Sequence, residues 1–368
     1  MKKIITSFFA VILGILVGIL LMEVTGYNSI LALQALWDGA FGDIYSIGEV
    51  VRQITPLLLA GLAVGFAFRT GLFNIGVEGQ LMMGWLAAVW VGISFDLPKI
   101  IHLPLAVIAG AVAGALWAFI PGLLKAKYRI NEVIVSIMLN YTALHVINHI
   151  IKTYLSEKSD RTDYIAESAS LASPFLSSIT DYSRLHWGIV IAIIGAIVMW
   201  FILEKTTTGF ELRSVGFNPH ASQYAGMNFK KNIILSMVIS GAFAGLAGVA
   251  EGLGTFGYNP IRSGPTGLGF DGIAVALLGA NSPLGIVLAA GLFGFLKVGA
   301  LSMPMASGVP LELVDIIIAL IVFFVGISYL IEFIMNKFFP EKKKAKEEKK
   351  KKKKEMKSAT KGGEDKWV

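Results

Sequence analysis

The chain has no cysteine in 368 residues. Disulfides, thiolate metal sites and a cysteine nucleophile are therefore excluded. Charge is scarce too, with Asp, Glu, Lys and Arg making up only 15% of the sequence. It is also unevenly placed. Residues 337–368 hold 14 of the 32 Lys and Arg and 6 of the 25 Asp and Glu, a local balance of +8. The residues before them balance at −1 (18 basic, 19 acidic). The net charge of +7 thus belongs to the tail and does not point to nucleic-acid binding by the body. No Ser-His-Asp arrangement, zinc-ligand spacing or paired-carboxylate motif stands out, so no catalysis is assigned to the chain. His145 and His149 share a helical face, but no further ligands stand at matching spacing, and a metal site is not expected.

What the sequence does have is long apolar runs. It is 55% apolar, with a mean hydropathy of +0.69. Such a composition with so little charge is that of an integral membrane protein. A crossing helix needs about 20 apolar residues. Runs of this kind lie near 4–23, 47–67, 76–95, 103–124, 132–151, 186–203, 232–251, 270–281, 284–303 and 312–335, the run at 270–281 being short. The expectation is an all-α polytopic protein of about ten transmembrane helices over residues 1–335, followed by a disordered lysine-rich tail, 336–368. Lys2-Lys3 and the run after them lack a small-residue cleavage site and read as an uncleaved first helix.

Loop charge sets the orientation. Lys2, Lys3, Arg69, Lys125, Lys127, Arg129, Lys205, Arg213, Lys230, Lys231 and the tail fall on one side. The opposite loops are poorer or balanced: 24–46 has Asp38 and Asp43 but no basic residue, and 152–184 mixes both signs. Both termini are therefore expected in the cytoplasm. The long polar loop 152–184 is expected outside, as a small cap or a flexible loop. The tail reads as a solvated charge run reinforcing this topology, or as a patch attracted to anionic membrane lipids.

Two segments share a pattern. Thr70-Gly71-Leu72-Phe73-Asn74 and Thr266-Gly267-Leu268-Gly269-Phe270-Asp271 each set Thr-Gly-Leu before an aromatic residue and then Asn or Asp, and each opens a glycine-interrupted apolar segment. In the expected topology they enter from opposite sides, as an inverted repeat does. Broken segments at matching positions of two halves point to a substrate path, or else are glycine-rich packing surfaces. A third feature lies at 204–231. Asn218 is a good N-cap, Pro219 suits the first helical position and Gly226 can end the helix, so His220–Ala225 should form about two turns. Crossing a bilayer does not require such a helix, and docking another protein does.

The stretch Gly209-Phe-Glu-Leu-Arg-Ser-Val-Gly-Phe-Asn-Pro-His-Ala-Ser-Gln-Tyr-Ala-Gly226 resembles the coupling segment of permeases of the branched-chain amino acid and ribose class of ABC importers. Phe73-Asn-Ile-Gly-Val-Glu-Gly-Gln-Leu-Met82 is similar to a signature of that class, and Ile130-Asn-Glu-Val-Ile-Val-Ser-Ile-Met-Leu-Asn-Tyr141 narrows it to the nucleoside type. The resemblance covers about residues 1–335 and leaves out the tail. It implies the type II ABC importer fold, a bacterial plasma membrane, and half of a pore completed by a second, different permease subunit. ATPase subunits would dock at Gly209, Glu211, Arg213, Gly216, Asn218, Pro219, Tyr224 and Gly226, and an extracellular lipoprotein would deliver a nucleoside. The chain has no Gly-x-x-x-x-Gly-Lys-Ser/Thr phosphate loop, so it holds no cofactor itself and the ATP and magnesium belong to the partner ATPase. Related permeases carry simple sugars or branched-chain amino acids. An ion-driven secondary transporter using Glu78 or Asp271, and a membrane scaffold with a recruiting tail, are the readings of other classes.

For the substrate pathway the candidates are Asn74, Glu78, Gln80, Asn140, Phe256, Phe270 and Asp271. A lone carboxylate such as Glu78 in an apolar segment should face a cavity or a partner, unless it merely starts a helix near the interface. Neutral amides at Asn74 and Gln80 suit an uncharged, polar nucleoside, or cap a broken helix. Asn131 and Glu132 begin a helix, whereas Asn140 lies deeper and suits interhelical bonding. Phe256, Tyr258 and Phe270 offer ring faces to a nucleobase, or simply mark a membrane interface. Lys297, read as the only basic residue well inside a span, should snorkel or pair with an acid such as Asp315.

Overall fold

The computed structural model describes residues 2–156 and 159–327, with side chains from Phe9 onward. The tail 336–368 and the last part of the run 312–335 lie outside the described residues. The chain begins with α1 (Lys2–Val24), α2 (Ser29–Phe41), α3 (Ile44–Arg69), α4 (Val77–Ser94), α5 (Lys99–Tyr128) and α6 (Glu132–Ile150). A loop carrying the short α7 (Pro174–Ile179) leads to α8 (Gly188–Lys205), α9 (Thr207–Phe217), α10 (Pro219–Tyr224) and α11 (Phe229–Val249). Then come α12 (Leu268–Leu278), α13 (Pro283–Gly299), the short α14 (Met303–Ser307) and α15 (Leu311–Gly326). No strand is formed among the described residues, which show only two isolated bridges.

The apolar runs are helical where they are described, the last of them as far as Gly326, and among the described residues six, against the expected count of about ten, coincide with helical stretches long and apolar enough to cross a membrane. Those six are Ile44–Arg69, Lys99–Tyr128, Glu132–Leu155, Gly188–Lys205, Phe229–Phe256 and Pro283–Ser307. Burial separates a central post from a periphery. In α3, 83% of the apolar window is buried; in α5 only 22% is. Leu57, Leu58, Leu59, Leu62, Val64 and Phe66 of α3 are enclosed by α8, α11, α12 and α13. The outward faces of α5 and α8, with Ile108, Leu116, Ile193 and Phe201 exposed, are the apolar surface a bilayer covers. Where α4, α5 and α11 cross, glycines let the backbones touch: a Cβ on Gly84 would stand 2.6 Å from the carbonyl oxygen of Gly245. Small residues serve helix packing in lipid this way, because no hydrophobic force drives helices together there.

Two segments expected as loops are structured. Residues 24–46 contain α2, whose N-cap Asn28 accepts a hydrogen bond from the Leu31 amide at 3.0 Å. Its buried stripe of Ser29, Ala32, Ala35, Leu36 and Ala40 follows the helical period and packs against α13 and α14. The loop 152–184 takes the form of a cap. Its Thr162, Ile165 and Leu171 amides donate to the carbonyls of Asn259, Gly257 and Leu253, and its Ala166 amide donates to Gly92. Those bonds fasten it to the α4 end at Ser94 and to the chain leaving α11.

Broken backbone occurs at the two places the near-repeat marks. Residues 70–76 separate α3 from α4, and 257–267 separate α12 from the wide π-helical turn Ala250–Phe256 that extends α11. Such turns are found frequently at functional sites.

Candidate functional site: a clamp between two broken helices

The first broken segment is held by side chains. Asn74 turns its own chain by accepting from the Gly76 amide at 3.0 Å. Its Nδ2 donates to Gln80 Oε1 at 2.9 Å and to Ser240 Oγ of α11 at 2.8 Å, and Gln80 Nε2 donates back to Asn74 Oδ1 at 3.1 Å. Asn140, from α6, accepts from the Gly79 amide at 2.9 Å and donates to the Ile75 carbonyl at 3.0 Å. All three amides are buried. They replace the backbone bonds that an unbroken helix would have made, which is what membrane depth demands of irregular backbone. Asn140 therefore does the interhelical bonding expected of it.

Glu78 ties this segment to the other one. Its side chain is fully buried, and its carboxylate accepts from the Thr266 amide, from Thr266 Oγ1 at 2.6 Å, from the Gly267 amide at 3.0 Å and from the Gly269 amide at 2.7 Å. Those donors are the chain entering α12 and its first turn, where unpaired N–H groups and the helix dipole favour a negative charge. The glycine is needed for the approach. A Cβ on Gly269 would lie 2.5 Å from the Glu78 amide nitrogen. The two halves of the near-repeat thus touch each other directly. Glu78 begins α4 and at the same time closes the start of α12.

Phe270 and Asp271 follow at once on α12. Phe270 is exposed, and Asp271 Oδ2 pairs with Lys297 Nζ of α13 at 2.6 Å. Lys297 therefore meets Asp271 rather than the expected Asp315, because α12 and α13 lie side by side across the tight Ala280–Asn281 turn. Removing one member leaves the other charge in an apolar setting. Lys297→Met should lower stability in detergent by about 2 kcal/mol, discounted for partial exposure, and Lys297→Met with Asp271→Asn should recover most of it. Thermal unfolding of the three variants checks this.

Phe256 stands apart from this set. Its ring lies 5.3 Å from Trp85 and 5.9 Å from Tyr258. The Arg262 guanidinium sits 4.1 Å over Trp85, whose indole donates to the Tyr258 carbonyl at 2.9 Å. Trp85 is two turns along α4 from Glu78, so the aromatic group and the clamp share one helix face-to-end but not one cluster.

Sequence reasoning missed a second polar group. Glu49 and Arg52 of α3 are buried and paired at 2.8 Å, and Arg184 from the 152–184 cap joins Glu49 at 2.9 Å. The bond to Glu49 raises the Arg184 pKa above its ordinary value. Arg52 corrects the reading of Lys297 as the one basic residue well inside a span. The signal was present, since Glu49, Arg52 and Glu251 are charges within apolar runs. Among the described residues, no group of three or more His, Asp or Glu is placed to hold a metal ion.

At the Arg69 end of α3 lies the segment expected to dock a partner. Asn218 Oδ1 accepts from the Ala221 amide at 3.0 Å, Pro219 opens α10, and Gly226 follows it at φ +81°, the left-handed conformation that suits glycine. These are the expected cap and stop. The preceding residues, read only as a segment, form α9. Phe217 and Tyr224 are 95% and 97% exposed, so both rings stand clear of the bundle. Gly209 packs against α8, Glu211 accepts from Asn232 Nδ2 of α11 at 3.0 Å, and Arg213 pairs with Glu204 at 2.7 Å.

Comparison with known proteins agrees with this architecture. Residues 46–326 match the family model for the permease component of the branched-chain amino acid transport system. The chain is 61% identical over 337 residues to the guanosine ABC transporter permease protein NupP of Bacillus subtilis, covering 92% of this chain and 97% of that one. It is 42% identical to the nucleoside ABC transporter permease protein NupB of Lactococcus lactis, covering 91% and 94%. A second guanosine permease protein of Bacillus subtilis, NupQ, is 31% identical, covering 73% of this chain and 88% of its own. No solved structure matches. With its multi-pass helical body and the matched region spanning most of its length, the chain belongs to the family of branched-chain amino acid transport system permease components.

Proposed function

We propose that this chain is the permease subunit of an ATP-driven importer of nucleosides in a bacterial plasma membrane, completing its pore with a second, different permease. The observation that carries the class is the α9–α10 hairpin, which shows two exposed aromatic rings at the end of the bundle where the basic loops gather. That end is cytoplasmic by the charge of its loops, so both termini lie inside and the 152–184 cap lies outside. Separate ATPase subunits grip the hairpin and supply the ATP chemistry, and an extracellular binding lipoprotein delivers substrate to the cap side. The nucleoside assignment rests on the guanosine and nucleoside permeases at 61% and 42% identity. A heteromeric pore is supported by the two permease proteins that carry the guanosine name in one organism.

The substrate path runs past Phe270 and Asp271 at the start of α12, where Glu78, Asn74, Gln80 and Asn140 fix the broken backbone, and Phe256 lies apart from it with Trp85 and Tyr258. Uptake of labelled guanosine and uridine by cells lacking the chain, with and without a plasmid copy, tests this. Restored uptake that stops on ATP depletion is the expected result. Uptake that survives ATP depletion and follows an ion gradient would replace it with secondary transport.

A further inference from the structure

The docking hairpin and the first broken segment touch each other. Gly216, in the last turn of α9, lies backbone to backbone against Gly71, the second residue of the broken segment, at φ +77°. A Cβ on Gly71 would stand 2.8 Å from Gly216 Cα and 3.1 Å from its carbonyl oxygen. A Cβ on Gly216 would stand 2.7 Å from the Thr70 carbonyl carbon. There is no side chain between them to absorb a displacement, so a shift of α9 must move residues 70–71 or open the contact.

One carboxylate brackets that contact. Glu204, in the last turn of α8, accepts from Arg69 Nη2 at 2.5 Å and from Arg213 Nη1 at 2.7 Å. Arg69 is the last residue of α3, directly before the broken segment, and Arg213 lies on α9, three residues before Gly216. Glu204 thus holds the two backbones that meet at Gly71 and Gly216. All three side chains are about one-third exposed, so the bracket can open and re-form without burying a bare charge.

From Gly71 the connection continues without a gap. Thr70 Oγ1 bonds Ser236 of α11. Asn74 fixes residues 74–76, and Glu78 holds the start of α12. We propose that Glu204 is a positioning residue for transport: through Arg69 and Arg213 it keeps Gly216 seated on Gly71, so that movement of the docked hairpin reaches the clamp at Glu78 and α12. This rests on the docking role of α9–α10, and the two ideas fail differently. Loss of docking appears as loss of bound ATPase. Loss of positioning leaves the ATPase bound and wastes its turnover.

The test uses the complete transporter, with both permeases and the ATPase, reconstituted in vesicles with its binding protein. Glu204→Gln keeps the shape and removes the charge both arginines need; Glu204→Asp keeps the charge on a shorter arm. ATPase co-purification, ATP hydrolysis and labelled guanosine uptake are measured together. Glu204→Gln is expected to retain the ATPase and its hydrolysis while uptake per ATP falls about fivefold or more, with Glu204→Asp recovering part of it. Gly71→Ala, which wedges the contact directly, should show the same loss of uptake per ATP. If Gly71→Ala fails to assemble, the two Glu204 variants decide. An unchanged ratio of uptake to hydrolysis in Glu204→Gln, with the complex intact, overturns the proposal. So does a ratio that falls equally in Glu204→Asp and Glu204→Gln.

Discussion

Glu78→Ala is expected to abolish at least about nine-tenths of uptake and to destabilise the isolated permease by about 3 kcal/mol, the upper end for losing one hydrogen bond to a charged group. The reason is the number of groups that depend on one carboxylate. The amides of Thr266, Gly267 and Gly269 and the Thr266 hydroxyl all donate to it. The Gly269 amide would be left buried and the other three donors partly buried without this acceptor, and hydrogen bonds to a charged group are worth about 1.5–3 kcal/mol apiece. The sum is not realised, because residues 257–267 are not held by a helix ladder and can shift toward other partners. Glu78→Gln is the sharper variant. It keeps volume and one carbonyl, but its NH2 must face an amide that is itself a donor. It should retain more stability than alanine and still lose most transport, because the negative charge at the start of α12 is gone. Thermal unfolding in detergent gives the first quantity and labelled nucleoside uptake the second. If both variants transport normally, the contact between the two broken helices is a packing detail and the path lies elsewhere.

Much of this arrangement was legible in the sequence, and the limits have physical causes. Length and apolarity mark a crossing helix almost by themselves, since lipid forbids unpaired backbone. The apolar runs are helical where they are described for that reason, and six of them are long and apolar enough to cross. The near-repeat gave both breaks because glycine beside polar residues in an apolar run has few other uses. The caps of α10 were readable because Asn, Pro and Gly each act on their own backbone. Partners across the fold were not readable. Lys297 and Asp271 are separated by 26 positions, and only the turn at 280–281 decides that they meet. Glu78 and Gly269 lie 191 positions apart, and each looked like a local feature of its own half. The α2 helix was missed for another reason. Its run of 13 residues is too short to span, so a search for spans passes over it.

The second large effect is expected at the hairpin. Replacing both Phe217 and Tyr224 with alanine should leave the permease folded and inserted, but remove the ATPase from the purified complex and reduce uptake to background. Neither ring supports the fold, since at 95% and 97% exposure each has almost no contact with the bundle. A bare aromatic ring in water is a poor use of apolar surface, and such rings are enriched among the residues that dominate binding energy at protein interfaces. Truncating a central one there typically costs about 2 kcal/mol or more, so losing two weakens docking by a factor of roughly 1,000. Asn218→Ala acts on the same surface by another route. Asn218 caps α10 through the Ala221 amide, and losing that cap costs about 1 kcal/mol in a helix of only six residues. Uptake should fall partially, and a Ser or Asp at the same position should restore it, since both can cap. Equal uptake by the double alanine variant and the unaltered chain, with the ATPase still bound, would place the docking surface away from α10.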